Sequence, residues 1–252
     1  MIQLLDSLLA PWRRSPQLFV FGNQKSGTSA IAGLLAAATG KRLAADFPGA
    51  RHPFIGPLLR GETPITTFVR RNRGSFSAPI VKEPSLTFVA AALLTLFPEA
   101  RCIFVLRNPW QNIRSILNRL DVRGDTPQPA ARSKRINPTW SDILSGADLG
   151  LPPDHFVSIL ATRWLRAAEI GQSLGDRAAV VRYEDFTAAK RNTIAQLAAG
   201  AGFPMIADIA SQVDHPFQPQ GTDESPHRFF GPNLARIEAI CGARARALGY
   251  AP

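Results

Sequence analysis

Residues 18–29 read Leu18-Phe19-Val20-Phe21-Gly22-Asn23-Gln24-Lys25-Ser26-Gly27-Thr28-Ser29, and this stretch decides the fold. Leu18 to Phe21 make a short apolar run, the pattern of a buried strand. A tight loop follows from Gly22 to Gly27, and a helix begins near Thr28. This is the layout of a phosphate-binding loop, in which backbone N–H groups at a helix N-terminus are aimed at an anion. The place of the lysine sets it apart. A Walker A loop, GxxxxGK[ST], puts lysine directly after its second glycine. Here Gly22 and Gly27 keep the spacing, but Thr28 takes the lysine position and Lys25 lies two residues ahead of Gly27. The loop therefore holds a phosphate-like group with a lysine geometry unlike that of an ordinary ATPase or kinase.

A second apolar run, Arg101 to Leu106, suits a central parallel strand and is followed by Arg107-Asn108-Pro109. Asn108 fits a helix N-cap and Pro109 the first helical position, so a helix starts there. In a P-loop NTPase the matching strand tends to end in an aspartate that holds Mg²⁺. This one ends in arginine, which neutralises an anion directly and leaves no carboxylate at that point for a metal. Along the helix from Pro109 to about Leu120, Ile113, Ile116, Leu117 and Leu120 form one apolar stripe, and Ser115 falls nearly opposite it.

Lys25-Ser26-Gly27-Thr28-Ser29 resembles the 5′-phosphosulfate loop of the sulfotransferases, usually written PKSGTT. Arg107-Asn108-Pro109, with Ser115 eight residues after the arginine, resembles their 3′-phosphate motif. That family takes its sulfuryl group from 3′-phosphoadenosine-5′-phosphosulfate (PAPS) and releases 3′-phosphoadenosine-5′-phosphate (PAP). The resemblance spans about residues 18 to 248 and looks more like the bacterial members than the mammalian cytosolic ones. It implies a P-loop-like sulfotransferase fold and a donor site made of Gln24, Lys25, Ser26, Gly27, Thr28, Ser29, Arg107 and Ser115. The backbone amides of Ser26 to Ser29 hold the 5′-phosphate in this reading, and Lys25 stabilises the bridging oxygen as the donor departs. No metal is expected.

Other matches are softer. Lys82-Glu83-Pro84-Ser85 follows an Ile80-Val81 strand and matches the family's lysine-containing motif in placement, which implies Lys82 as a second electrostatic stabiliser. Glu83 is the first choice for the general base, since some sulfotransferases use a glutamate. Others use a histidine two residues after this lysine, a position held here by Pro84. The competing reading for Glu83 is an ion pair with Lys82 or a nearby arginine, and Asp46 and His52 stand in reserve as bases. Val181 to Phe186 resembles a late strand motif that ends in Tyr-Glu-Asp. There Tyr183 approaches the adenine, while Glu184 and Asp185 read as structural. Ser225 to Gly231 falls where relatives close a basic loop over the 3′-phosphate, with Arg228 as the contact, although the usual Arg-Lys-Gly is missing. Ala30 stands where many relatives carry tryptophan, so adenine stacking must come from elsewhere.

The rest of the chain agrees with this organisation. Its 252 residues, 45% hydrophobic, can bury one α/β core. Strands are expected at 18–22, 79–82, 101–106 and 178–182, and helices at 28–38, 85–97, 109–120, 156–174, 187–200 and 232–248. Such alternation points to a single-domain α/β fold with a mostly parallel sheet covered on both faces. Lys25, Lys82 and Arg107 each lie just past a strand end, where ligands gather in such sheets. A segment at 1–17 precedes the domain, which runs over 18–252 with variable, acceptor-facing loops at about 41–78 and 121–150. Trp164 reads as core.

A net charge of +10 calls for an acidic partner, which an anionic donor or an acidic acceptor supplies. No helix-turn-helix, zinc-finger or RNP-type pattern supports nucleic-acid binding. Cys102 and Cys241 read as buried free thiols, and no 18-residue apolar run exists to span a membrane. Ile2, Leu4, Leu5, Leu8 and Leu9 ahead of Trp12-Arg13-Arg14 dock on the domain or touch a membrane surface. Met1 to Ala10 lacks the basic leader of a signal peptide, so a cytoplasmic location is expected. The acceptor is a small molecule, a glycan or a lipid, and the sequence leaves it open together with the oligomeric state. An atypical P-loop kinase and a PAP- or PAPS-binding module without transfer activity are the competing functions.

Overall fold

The computed structural model describes residues 16–128, 134–213 and 224–251. In chain order its principal elements are β1 (Leu18–Phe21), α1 (Thr28–Thr39), β2 (Leu43–Ala45), β3 (Ile80–Lys82), α2 (Ala90–Leu96), β4 (Arg101–Leu106), α3 (Pro109–Leu120), α4 (Phe156–Ser173), β5 (Ala178–Arg182) and α5 (Lys190–Gly200). The five strands form one parallel sheet in the order β2-β3-β1-β4-β5.

Alternation along the strands sorts the core into two layers. Phe19, Phe21, Val81, Cys102 and Phe104 face one side, where α2, α3 and α4 bring Leu93, Ile113, Ile116, Leu160 and Trp164 against them. Leu18, Val20, Ile80, Ile103 and Val105 face the other, covered by Ile31, Leu34 and Leu35 of α1 and by Ile194 and Leu197 of α5. Each such side chain contributes about 1.5–3 kcal/mol on burial. The chain leaves β1 through α1 on one face and reaches β4 through α2 on the other. β1 and β4 therefore flank the point where the strand order reverses, the place at which open α/β sheets bind ligands.

The four expected strands stand within a residue or so of their expected bounds, and α3 begins with Asn108 as N-cap and Pro109 at the first position. β2 is an addition. The segment at 41–78, expected to be a loop, holds β2 and three short helices, Ile55–Leu59, Ile65–Arg71 and Arg73–Phe76. Phe76 from it packs edge to face with Phe47 and Phe68, which tilt against each other in the core. The segment at 121–150 also holds a helix, Pro138–Ser145, capped by Asn137. The helix expected at 85–97 is a 3₁₀ turn, Pro84–Val89, leading into α2. The helix expected at 187–200 divides into Tyr183–Ala188 and α5, because Ala189 leaves the helical region between them. The one expected at 232–248 contains a π turn, Glu238–Gly242. Trp164 is buried, as are the free thiols of Cys102 and Cys241. The apolar N-terminal residues and their expected docking fall outside the described residues.

Candidate functional site

The loop after β1 is fixed at almost every residue. Gly22 has φ 145°, and a Cβ there would lie 2.5 Å from the Val105 carbonyl oxygen, so only glycine fits between β1 and β4. Its N–H donates to Thr87 Oγ1 at 2.8 Å, and that hydroxyl donates back to the Gly22 carbonyl at 3.0 Å. Asn23 Nδ2 donates to Asn112 Oδ1 at 2.9 Å, Asn112 Nδ2 donates to the Gln24 carbonyl at 2.8 Å, and Ser26 Oγ donates to the Asn23 carbonyl at 2.7 Å. Lys25 sits in the left-handed region with φ 65°, a conformation that costs a non-glycine residue free energy unless its neighbours impose it. They do, and Arg107 Nη1 adds a hydrogen bond to the Lys25 carbonyl at 2.8 Å. Gly27, φ 102°, starts α1 with no side-chain cap. The first amides of α1 thus have no intrahelical acceptor, the condition for an anion site.

Three cations converge here. The Lys25 amine is pulled down to about 8, first by burial and then by the charges of Arg107, Arg119 and Lys82. Arg107, just past β4, is lowered by burial. Its Nε is buried without a hydrogen-bond partner, and its guanidinium carbon stands 4.4 Å over the Tyr183 ring. Trp164 Nε1 donates to the Arg107 carbonyl at 2.8 Å, and Asn108 N–H donates to Glu184 Oε1 at 2.9 Å, so the turn that carries the arginine is held from both sides. Ser115 is half-buried on α3, on the helix edge that also carries Asn112 and Arg119.

The third cation, Lys82, is the last residue of β3, buried, with Nζ 2.7 Å from Asp46 Oδ1. Asp46 follows β2 at φ 48° and keeps 55% of its side chain exposed, and Arg51 Nη2 donates to its carbonyl at 2.8 Å. Glu83 lies deeper. Its Oε1 accepts the Ser85 N–H at 3.2 Å as the N-cap of the following 3₁₀ turn, and burial pushes its carboxyl up to about 7. Lys82 pairs with Asp46, and no ion pair joins Glu83 among the described residues. His52 is exposed and 2.7 Å from Asp142 Oδ2.

Tyr183 packs its ring on Gly27, where a Cβ would come within 2.2 Å of it. Glu184 accepts from Asn108 and also from the Tyr250 hydroxyl at 3.3 Å, a structural role. Arg228 is exposed and pairs with Glu224 at 3.5 Å, not with the loop. Sequence reasoning missed Thr87, Asn112, Arg119 and a buried Arg163–Asp148 pair. Asn112 left one signal, a short amide at the border of an apolar helix stripe. Among the described residues no three His, Cys, Asp or Glu side chains gather as a metal site, and no helix is long and apolar enough to cross a membrane.

The single α/β domain, with its five-stranded parallel sheet flanked by helices, has the bacterial-type sulfotransferase fold. Sulfotransferase STF9 from Mycobacterium avium matches it at TM-score 0.55 over 98% of this chain and 80% of that one, with 16% identity. Sulfotransferase STF1 from Mycobacterium tuberculosis H37Rv matches at 0.51, over 95% and 81%, with 13% identity. A sulfotransferase domain from the curacin biosynthetic pathway matches at 0.50, over 94% and 99%, with 13% identity. No protein-family model and no curated protein matches the sequence.

Proposed function

We propose that this protein is a PAPS-dependent sulfotransferase. The observation that carries the reading is the convergence of Lys25, Lys82 and Arg107 at the strand ends of β1, β3 and β4, with the Asp46 carboxylate 2.7 Å from Lys82. The residues fit the donor. The uncapped start of α1 suits its 5′-phosphate, and the buried Nε of Arg107 lacks a partner that an anion would supply. Ser115 would share the 3′-phosphate with Arg107. Tyr183 borders the same space, and Arg228 would have to leave Glu224 to reach it.

In the transfer an acceptor hydroxyl or amine attacks sulfur as the bond from sulfur to the phosphate oxygen breaks, and PAP departs with the added charge. Lys25 offsets that charge, and Lys82 stabilises the sulfuryl oxygens. The acceptor's proton needs a base. Asp46 is the stronger candidate than Glu83, because its carboxylate is half open to solvent beside Lys82 while Glu83 is buried and engaged as a cap. His52 is occupied by Asp142.

Calorimetric titration with PAP and with Mg-ATP, on wild type and Arg107→Ala, tests the donor assignment. Tight PAP binding without metal, weakened about 10²–10³-fold in the variant, is expected for a buried guanidinium on phosphate. Tight binding of Mg-ATP with indifference to the 3′-phosphate would move the protein to the kinases. Tight PAP binding with no transfer from PAPS to a panel of hydroxyl and amine acceptors would leave a nucleotide-binding module.

A further inference from the structure

Gln24 stands directly before Lys25 and is buried. Its side-chain amide Nε2 donates to Ser85 Oγ at 3.2 Å, three residues beyond Lys82. Its Oε1 faces Arg163 Nη2 at 3.5 Å, a marginal hydrogen bond strengthened by the full charge of the donor. Arg163, on α4, is wholly buried, and its Nη1 makes an ion pair at 2.6 Å with Asp148, itself 2% exposed. Asp148 comes from the short 3₁₀ turn Ala147–Leu149, which Arg60 holds through the Ala147 carbonyl at 2.9 Å. The guanidinium carbon of Arg163 also lies 5.0 Å over the Phe88 ring.

Burying such a pair brings little net stability, because the desolvation of both ions offsets most of their attraction. Packing therefore gives no strong reason for a guanidinium here. Its two arms serve different partners: one holds Asp148, and the other reaches the residue next to the strained Lys25. An arginine fork can do both, and a lysine's single ammonium cannot.

We propose that Arg163 is a positioning residue that acts through Gln24, bracing the phosphate loop against the Lys82–Ser85 segment so that the Lys25 ammonium stays aimed into the anion site. The role rests on the sulfotransferase reading for its effect on rate, but the bracing itself does not. Arg163→Lys keeps the charge beside Asp148 and gives up the arm to Gln24. Gln24→Leu keeps the volume and gives up both side-chain hydrogen bonds.

Competitive acetylation of the intact protein across pH, read at Lys25 by mass spectrometry, reports the protonation midpoint of its amine with no need of turnover. In wild type that midpoint is expected near 8, where burial and the neighbouring cations put the amine. Both variants are expected to raise it toward the ordinary lysine range as the amine gains water. The double variant should match the larger single effect, since both cut one connection. Under the sulfotransferase reading kcat also falls about tenfold in each, the scale of a slightly misplaced reacting group. A Lys25 midpoint near 8 in both folded variants overturns the proposal whatever the activity. A raised midpoint in a protein whose wild type neither binds PAP nor transfers sulfuryl groups supports the bracing and overturns the donor assignment instead.

Discussion

On the β1–β4 side of the site the lysine is held by its backbone. Lys25 sits at φ 65° with its carbonyl bound by Arg107 and the neighbouring Gln24 carbonyl bound by Asn112, while its amine, with no ion pair among the described residues, feels the charges of Arg107, Arg119 and Lys82. On the β2–β3 side the lysine is held by its partner. Lys82 ends a regular strand, buried, and spends its charge on Asp46 at 2.7 Å. The first arrangement leaves a cation with nothing to exchange, ready for an incoming anion. The second requires an exchange: an anion that takes Lys82 releases a carboxylate beside it. Under the sulfotransferase reading, the first lysine suits the donor's phosphate and the second links anion binding to the release of a carboxylate able to serve as base.

The sharpest way to break the contrast is at Asp46. Asp46→Asn keeps the shape and removes the proposed base, and kcat is expected to fall about 10²–10⁴-fold with PAP affinity little changed. Glu83→Gln should stay within about tenfold of wild type if Asp46 is the base, since a base carries the larger factor. The reverse ranking in steady-state assays would return the role to Glu83. Lys25→Ala comes next, with about 10²–10³-fold lost in kcat as one electrostatic contact to the leaving group disappears.

The same lysine sets a pH dependence. Burial and neighbouring cations lower its amine to about 8, so if Lys25 holds the donor, PAP affinity is expected to be fully present on the acid side and to weaken as pH rises through about 8. Calorimetry between pH 6.5 and 9.5 should find that arm in wild type and not in Lys25→Ala. A flat wild-type profile would mean that Lys25 does not touch the bound anion.

Gly27→Ala tests how far backbone placement matters. At φ 102° with a Tyr183 ring atom 2.2 Å from the new Cβ, the variant meets both strain and a clash. A loss of about 2–4 kcal/mol is expected, lowering Tm by roughly 4–16 °C. Adding Tyr183→Ala should relieve the clash and leave the strain, so the double variant should recover only part of the Tm.

Much of this was legible because it is local. Gly22 to Ser29 carries its own turn geometry, and Asn108-Pro109 marks the start of α3 to the residue. What the sequence hid depends on contacts between distant segments. β2 is three residues long and half exposed, so it has no apolar run to announce it. Phe47, Phe68 and Phe76 share no helical or strand period, and their common packing follows only once three short helices are in place. The Asp46–Lys82 pair needs the register that sets Ala45 beside Lys82. Without it Asp46 is one acid in a Pro- and Gly-rich stretch, and Glu83, adjacent in sequence to Lys82, reads as the nearer carboxylate.

Glu83 supplies the smallest test. Its carboxyl is pushed up to about 7 from an ordinary 4.5, chiefly by burial. A carboxyl whose folded-state value is raised binds its proton more tightly in the folded protein than in the unfolded chain. Its contribution to stability is therefore fully present below about 4.5 and is lost as pH rises toward 7. Glutamine keeps the oxygen that accepts the Ser85 N–H and carries no charge at any pH. Glu83→Gln should thus match wild type near pH 4.5 and exceed it above pH 7 by about 1–3 kcal/mol, or roughly 2–12 °C in Tm. A Tm difference that does not change with pH would show that Glu83 is not buried as the cap of the Pro84–Val89 turn. The contrast between a buried cap and the half-exposed Asp46 carboxylate would then fail.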